Sequence, residues 1–237
     1  MEEPDVIQGK WQEDNRIIEE DWGVHYVQLL GNKEIVNIME EDPEKPLQVL
    51  EIGCEIGGTL FYIRENYPKA EIHGCDIAEG AVKIAAYNMD AFVSNIEGEN
   101  LPFEPESLDV VVFGDVLEHL RDPQRTITYV KTLLKKGGCI LASIPNLMHI
   151  SVIADLLRGN FTYTDIGLLD RTHIHLFTYN EILRMFQSAD FTVEQMTSFA
   201  PQLNAVEEKL ITGLLALEPS AERFMYETFQ YHVRARK

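Results

Sequence analysis

The sequence lacks a long apolar run. No hydrophobic stretch approaches the roughly 20 consecutive residues that an α-helix needs to cross a bilayer. Residues 1–5 are mostly acidic and do not show the basic-then-apolar order of a secretory signal peptide. We therefore expect a cytoplasmic protein without a membrane partner.

Positive charge is also scarce. The chain has 20 Lys and Arg against 39 Asp and Glu, a formal net charge of -19. Repulsion from phosphates makes a general nucleic-acid binder unfavourable, although a local basic patch is compatible with this composition. Residues 1–45 alone hold thirteen acidic against four basic side chains. This segment is either a solvated surface segment or an acidic flap over a cationic ligand.

Cysteine spacing excludes two further classes. The chain has three cysteines, Cys54, Cys75 and Cys139, with no CxxC pair. An odd number without metal-type spacing favours buried thiols over a disulfide framework or a zinc site. No internal repeat or long Gly/Ser linker divides the chain, which suits a single domain.

From residue 47 onward, predicted strands and helices alternate, which is typical of a parallel sheet covered by helices on both faces. We predict strands over 48–52, 71–76, 91–95, 108–113, 139–144, 191–199 and 228–235, the last two of them forming an antiparallel addition at the end of the sheet. Asp122 should cap a helix that runs to Lys136 before Gly137 stops it. The form of residues 178–181 predicts a capping box. Residues 1–46 should be a helical cap or lid, and 47–237 the main domain.

A glycine-rich turn follows the first predicted strand. The stretch 49–57 reads Val-Leu-Glu-Ile-Gly-Cys-Glu-Ile-Gly and departs from the G-x-G-x-x-G of dinucleotide enzymes. A carboxylate at Glu51 would repel a pyrophosphate but would suit a ligand with an amino group. Asp76, at the end of the next strand, is placed to bind a ribose diol. S-adenosylmethionine has both groups and no phosphate.

These motifs resemble those of the class I, Rossmann-like S-adenosylmethionine-dependent methyltransferases. The resemblance extends over about 47–199, through Gly-Cys-Asp-Ile at 74–77, Leu-Pro-Phe at 101–103, Phe-Gly-Asp-Val at 113–116 and Lys-Lys-Gly-Gly at 135–138. It implies an α/β fold with a seven-stranded, mostly parallel sheet and an antiparallel C-terminal strand. The cofactor-binding residues that it implies are Glu51, Gly53, Cys54, Gly57, Asp76, Ile77, Asn95, Ile96, Gly114, Asp115 and Val116.

Two positions depart from the family pattern. Glu55 stands where the family has a small residue, and it either repels the cofactor's carboxylate or points outward. Asn95 replaces the usual Asp beside the adenine, where its side-chain oxygen can still accept a hydrogen bond.

A narrower resemblance concerns the acceptor. Residues 169–178 are similar to the D-x-T-H-x-x-x-F-T turn of the type 11, 12 and 23 groups, which act on small molecules, sugars and glycans. It is similar as well to quinone O-methyltransferases. His119 is the candidate general base by position, and His173 and His175 are candidates to line the acceptor pocket. We expect no metal, because H-x-H with Asp170 is a weak ligand pattern. Trp22, Tyr26, Asn146 and His149 should complete that pocket.

The leading hypothesis is methyl transfer to an oxygen or nitrogen of a small molecule, either a sugar or glycan precursor or a quinone-like metabolite. One alternative is a protein or RNA methyltransferase. The negative net charge of the chain argues against an RNA substrate. Another is a non-catalytic binding module in which Glu55 spoils the cofactor site. No feature of the sequence specifies an oligomeric state.

Overall fold

The computed structural model describes residues 31–98 and 100–237. Trp22 and Tyr26, and most of the predicted cap over 1–46, lie outside the described residues. Among the helices that the structure describes, none is long and apolar enough to span a bilayer.

Seven strands form one sheet in the order β3-β2-β1-β4-β5-β7-β6. Their bounds are β1 Gln48–Ile52, β2 Glu71–Asp76, β3 Asp90–Val93, β4 Leu108–Gly114, β5 Leu134–Pro145, β6 Thr192–Phe199 and β7 Gln230–Arg236. β1 to β5 pair in parallel, whereas β7 runs antiparallel to both β5 and β6. The predicted Rossmann-like fold with an antiparallel C-terminal strand is therefore confirmed.

Helices connect these strands. Numbered from residue 31, they are α1 Lys33–Asn37, α2 Gly58–Asn66, α3 Glu79–Ala85, α4 Pro123–Leu133, α5 Ile150–Leu157, α6 Tyr179–Ser188, α7 Ala205–Leu217 and α8 Phe224–Glu227, with a 3-10 turn at Leu117–His119. Apolar side chains alternate between the two faces of the central strands. Val49 and Val110 pack in the core under α1 and α2, while Leu50 and Val111 pack in the core under α4 and α6. The three cysteines are free and buried, as expected.

Two predicted element ends are wrong. The helix after Asp122 ends at Leu133, and the chain enters β5 at Leu134 instead of continuing to Lys136. The reason is pairing, since Leu134 is buried opposite Leu108 and the Lys135 ammonium lies 2.6 Å from the Asp109 carboxylate. An extended pair with a buried apolar side chain outweighs helix propensity there.

The predicted capping box at 178–181 is also absent. Thr178 is the N-cap of α6, but its side chain makes no capping hydrogen bond, and Glu181 pairs with Arg184 instead. A capping box does form at Asn204, whose side chain accepts from the Glu207 amide.

Asn146 and His149, predicted beside the acceptor, serve the fold. Asn146 follows β5 and is fully buried. Its amide donates to the carbonyls of Met225 (2.9 Å) and Thr228 (2.6 Å), and its oxygen accepts from the Met148 N–H. His149 is buried and caps α5 through Ser151. Asn146 therefore ties the end of β5 to the segment that enters β7.

Asn146→Ala should lower the free energy of unfolding by about 2–4 kcal/mol, because it removes one buried and two partly buried hydrogen bonds. Urea unfolding measures this loss. Asn160→Ala, at an exposed position after α5, is the matched control and should change stability by less than about 0.5 kcal/mol. Equal effects of the two changes would contradict the structural role given to Asn146.

Candidate functional site

A cavity of about 700 Å³ lies at the carboxyl ends of the parallel strands, where β1 and β4 meet and the strand order reverses. Ligands of open α/β sheets bind at this switch point. Its volume is typical of a small-molecule site. The segments that line it are 51–55, 58–59, 75–77, 94–97, 114–120 and 166–173, together with Asn32, Pro145, Phe229 and Gln230.

The turn after β1 is shaped by two glycines with positive φ, Gly53 (75°) and Gly57 (87°). A Cβ at Gly53 would overlap the Val116 side chain, so the turn can pack closely against the segment after β4 only with glycine. Gly53 and Cys54 line the cavity. Gly57 does not line the cavity. It is the N-cap of α2 and packs against the Met89 side chain.

Glu51 is the next-to-last residue of β1 and lines the cavity, although only 3% of it is exposed. Its Oε2 atom has no hydrogen-bond partner among the described residues. Burial raises the pKa of Glu51 to about 8, against hydrogen bonds from Thr59 and the Leu60 backbone that lower it. A buried carboxylate with a free oxygen is suited to a cationic ligand.

Asp76 is held at the end of β2 by two backbone amides. Its carboxylate accepts from the N–H of Glu55 (2.9 Å) and of Ala78 (2.8 Å). These bonds fix the carboxylate at the cavity wall and leave its other lone pairs for a diol. Ile77 follows it and is 73% exposed on the rim.

Asn95 and Ile96 form the wall after β3. The Asn95 side-chain oxygen accepts from the Glu97 N–H at 3.1 Å, which fixes the turn. Glu97, which the sequence analysis did not single out, accepts from the amides of Arg121 and Asp122. It thereby joins this wall to the segment that begins α4.

Glu55 adopts a left-handed backbone conformation with φ 47°. This conformation favours glycine and explains why the family has a small residue here. Glu55 is exposed to solvent and is one of the residues that line the cavity. Burial raises the pKa of Glu55, and the charges of Asp76 and Asp115 raise it further.

Gly114, Asp115 and Val116 follow β4 and line the opposite wall. Asp115 has φ 54°, its N–H donates to the Ser143 hydroxyl at 3.0 Å, and its carboxylate accepts from the Gln230 amide. Burial within the cavity raises the pKa of Asp115 despite these bonds.

Of the three candidate catalytic histidines, the structure brings two together. His119 and His173 both line the cavity, and their ring centroids are 4.9 Å apart. His175 does not line it, because its Nε2 faces the Arg121 carbonyl and its ring lies against Phe177. Glu118, which the sequence analysis missed, is fully buried beside His119 and also lines the cavity.

The cavity is strongly acidic. Seven carboxylates line it and no Lys or Arg does, among the residues that the structure describes: Glu51, Glu55, Asp76, Glu97, Asp115, Glu118 and Asp170. Such a wall favours cationic ligands and repels phosphate. The free oxygen of Glu51, the fixed carboxylate of Asp76 and the close turn at Gly53 fit S-adenosylmethionine, which offers an ammonium, a ribose diol and a sulfonium.

The raised pKa of Glu51 predicts a pH dependence of stability. The unfolded state, with the ordinary pKa of 4.5, binds fewer protons than the folded state between pH 4.5 and about 8. Stability contributed by this group should therefore fall as pH rises through that window, by at most about 1.4 kcal/mol per unit.

Glu51→Gln removes this titration, so the variant should gain stability over the wild type as pH rises from 5 to 8. Urea unfolding at several pH values measures the difference, with Glu65→Gln, at an exposed position in α2, as the control. A difference that does not grow with pH would contradict the raised pKa.

Comparison with known sequences gives the family. The profile of a methyltransferase domain family matches residues 25–196. The tRNA N(3)-cytidine methyltransferase METTL2 of Mus musculus is 28% identical over 179 residues, which are 68% of this chain and 45% of that protein. A ubiquinone biosynthesis O-methyltransferase of Albidiferax ferrireducens is 28% identical over 152 residues, 61% of this chain and 57% of that protein. The chain spans about half the length of these curated relatives.

Solved structures share the fold. A SAM dependent methyltransferase from Archaeoglobus fulgidus has a TM-score of 0.59 and 19% identity, covering 82% of this chain and 87% of that one. A possible histamine N-methyltransferase from Thermotoga maritima has a TM-score of 0.60 and 17% identity, covering 96% and 99%. Because the family profile covers the glycine turn and the first five strands, the chain belongs to the class I S-adenosylmethionine-dependent methyltransferases.

Proposed function

We propose that this enzyme methylates an oxygen or nitrogen atom of a small, non-anionic molecule. The observation that carries the proposal is the acidic cavity, whose described lining has seven carboxylates and neither Lys nor Arg. An acceptor that approaches the methyl group must enter this field. A phosphate next to the reacting atom would be repelled, whereas a neutral hydroxyl or an amine would not.

The proposed cofactor contacts follow the geometry of the walls. Glu51 binds the amino group, Asp76 binds the ribose hydroxyls, and Asn95 with Ile96 flanks the adenine. The glycine turn at 53–57, which includes Cys54, lets the backbone approach the ligand. Gly114, Asp115 and Val116 bind the methionine end, and Ile77 covers the ribose from the rim.

The acceptor end of the cavity is formed by the 3-10 turn after β4 and by the 166–173 segment. S-adenosylmethionine supplies a methyl group already activated on a sulfonium sulfur, which keeps the bonding electron pair when the methyl group leaves. The protein has to align the acceptor, exclude water and receive a proton. The acceptor atom would lie beside His119 and His173, which both line this end of the cavity. Burial lowers the pKa of His173, which keeps its imidazole neutral at physiological pH.

Apolar groups at the rim favour an acceptor with an apolar part, as in a quinone-like compound. Ile166 lines the cavity and is 82% exposed, and Phe229 forms part of the wall below it. Phe161 and Tyr163, which precede Ile166 in the same loop, are also exposed but do not line the cavity. A sugar would leave these surfaces in water, whereas an apolar ring or tail would cover them.

We also propose that residues 1–46 act as a cap on the 47–237 domain. The described end of this segment supports that role, because Asn32 lines the cavity and its N–H donates to the Thr59 hydroxyl at 3.1 Å. An acidic cap over a cationic cofactor would exclude water from the reaction.

The relatives named as tRNA methyltransferases make RNA the competing acceptor class. Methyl-labelled S-adenosylmethionine offered with a mixture of total tRNA and a metabolite extract separates the two classes. The proposal predicts label in the small-molecule fraction. Label recovered only in tRNA would overturn it.

Asp76→Asn should weaken cofactor binding by about 1.5–3 kcal/mol, the scale of a lost charge-assisted hydrogen bond, and should lower labelling in proportion. Calorimetric titration measures the affinity. Asp155→Asn, which changes an exposed carboxylate on α5, is the matched control and should bind like the wild type. An unchanged affinity in Asp76→Asn would remove the ribose assignment.

Glu55 decides between an enzyme and a non-catalytic module. Glu55→Gly should bind the cofactor at least as tightly as the wild type, because the carboxylate is not needed as a contact. It should also raise stability by roughly 0.5–1 kcal/mol, since relief of the left-handed strain exceeds the entropy that glycine adds to the unfolded chain. Glu55→Gln removes only the charge and isolates that part. A tenfold loss of affinity in either variant would show that Glu55 is a positive contact.

A further inference from the structure

The Glu118 side chain has no partner within the fold. It belongs to the 3-10 turn Leu117–His119 and is 0% exposed, yet it lines the cavity. Neither carboxylate oxygen has a hydrogen-bond partner among the described residues. An uncompensated buried carboxylate is costly, so its presence at a cavity wall indicates a group that it binds.

Two imidazoles face the same region in a defined tautomer. The Nδ1 of His119 lies 3.2 Å from the Thr172 carbonyl, and the Nδ1 of His173 lies 3.2 Å from the Leu168 carbonyl. A carbonyl oxygen only accepts, so each Nδ1 carries a proton and Nε2 is the ring nitrogen left to act as a ligand atom. Histidines that bind metals use the same arrangement, with the other ring nitrogen donating to a carbonyl or carboxylate.

The backbone holds the two segments together. The Glu118 carbonyl accepts from the amides of Ile174 (2.8 Å) and His175 (3.0 Å). Asp170 accepts from the Thr172 amide at 2.7 Å and fixes the preceding turn. The side chains of Glu118, His119 and His173 are therefore positioned by hydrogen bonds that leave the Glu118 carboxylate oxygens and the two Nε2 atoms free.

Their donor atoms also have the spacing of a metal site. One ligand atom from each of Glu118, His119 and His173 lies within 4.8 Å of the others. Ligand atoms bound tetrahedrally at about 2.0–2.2 Å are roughly 3.3–3.6 Å apart, so side-chain rotations that bring the atoms together by about 1 Å close the site. The negative charges of Asp115 and Asp170 act on both imidazoles and favour a cation further.

We propose that Glu118, His119 and His173 bind a divalent transition-metal ion at the acceptor end of the cavity. One carboxylate with two imidazoles suits Zn²⁺, Mn²⁺, Fe²⁺ or Co²⁺ better than Mg²⁺ or Ca²⁺, which prefer oxygen ligands. Three protein ligands leave a coordination position open to an acceptor.

The inference rests on the proposed function and makes it more specific, because an open coordination position on the metal ion favours a hydroxyl acceptor. A hydroxyl bound to a divalent cation loses its proton more readily, and the oxygen is then the better nucleophile. The two histidines act here as ligands, so the proton passes to solvent and not to an imidazole. The enzyme is in this account an O-methyltransferase.

Metal binding can be measured without methyl transfer. The full chain, first dialysed against a chelator, is titrated with Co²⁺ while the visible absorption bands of the bound ion are followed. The wild type should bind one Co²⁺ per chain, and its melting temperature should rise with the ion. Glu118→Gln and His173→Asn should each weaken binding by at least about tenfold.

His175→Asn is the matched control, because this histidine lies two residues away and bonds outside the cavity. It should bind Co²⁺ within about twofold of the wild type. Titration with S-adenosylmethionine in the metal-free variants checks that each is folded, and this binding should be unchanged. Absence of saturable Co²⁺ binding in the wild type, or equal binding in Glu118→Gln and His173→Asn, would overturn the metal site. Failure of the wild type to bind S-adenosylmethionine would instead count against the proposed function.

Discussion

Uncompensated negative charge at the carboxyl edge of the sheet is the constraint on which the site depends. Seven carboxylates face one cavity, and the described lining holds no Lys or Arg that could pair with them. The fold keeps this arrangement stable by protonation and by backbone hydrogen bonds. Burial raises the pKa values of Glu51, Glu55, Asp115 and Glu118, and the pKa of about 8 keeps the Glu51 carboxyl mostly neutral at pH 7 until a cation binds.

The carboxylates at the two ends of the cavity have different hydrogen-bond partners. At the cofactor end, Asp76 is held by two amides and Glu51 keeps one free oxygen, which suits an ammonium and a diol. At the acceptor end, Glu118 has two free oxygens beside the imidazoles of His119 and His173, which suits a metal ion. One acidic wall would thus bind an organic cation and an inorganic one, with the methyl group transferred between their sites.

The sequence predicts which residues lie at one end of the cavity, because these residues end or directly follow strands whose order and direction can be predicted. Glu51, Gly53, Asp76 and Asp115 all lie at the cavity, as strand ends in a parallel sheet require. The residues at the other end of the cavity are harder to predict from the order of the strands. Glu118 lies near His173 only because the amides of Ile174 and His175, more than 50 residues away in the chain, donate to the Glu118 carbonyl. Neither the hydrophobic periodicity nor the residue spacing of the sequence predicts that contact. Asn146 and His149 were predicted beside the acceptor because they follow β5, which ends near the cavity. Their side chains instead bond to the backbone, Asn146 to the segment that leads into β7 and His149 to the start of α5.

Proton release on cofactor binding tests the central claim most directly. With a pKa of about 8, Glu51 is mostly protonated at pH 7, and an ammonium bound beside it would favour the ionised form. Calorimetric titration with S-adenosylmethionine at pH 7, repeated in buffers that differ in ionisation enthalpy, counts the protons exchanged. The account predicts release of close to one proton in the wild type relative to Glu51→Gln. The same proton count in both proteins would contradict it.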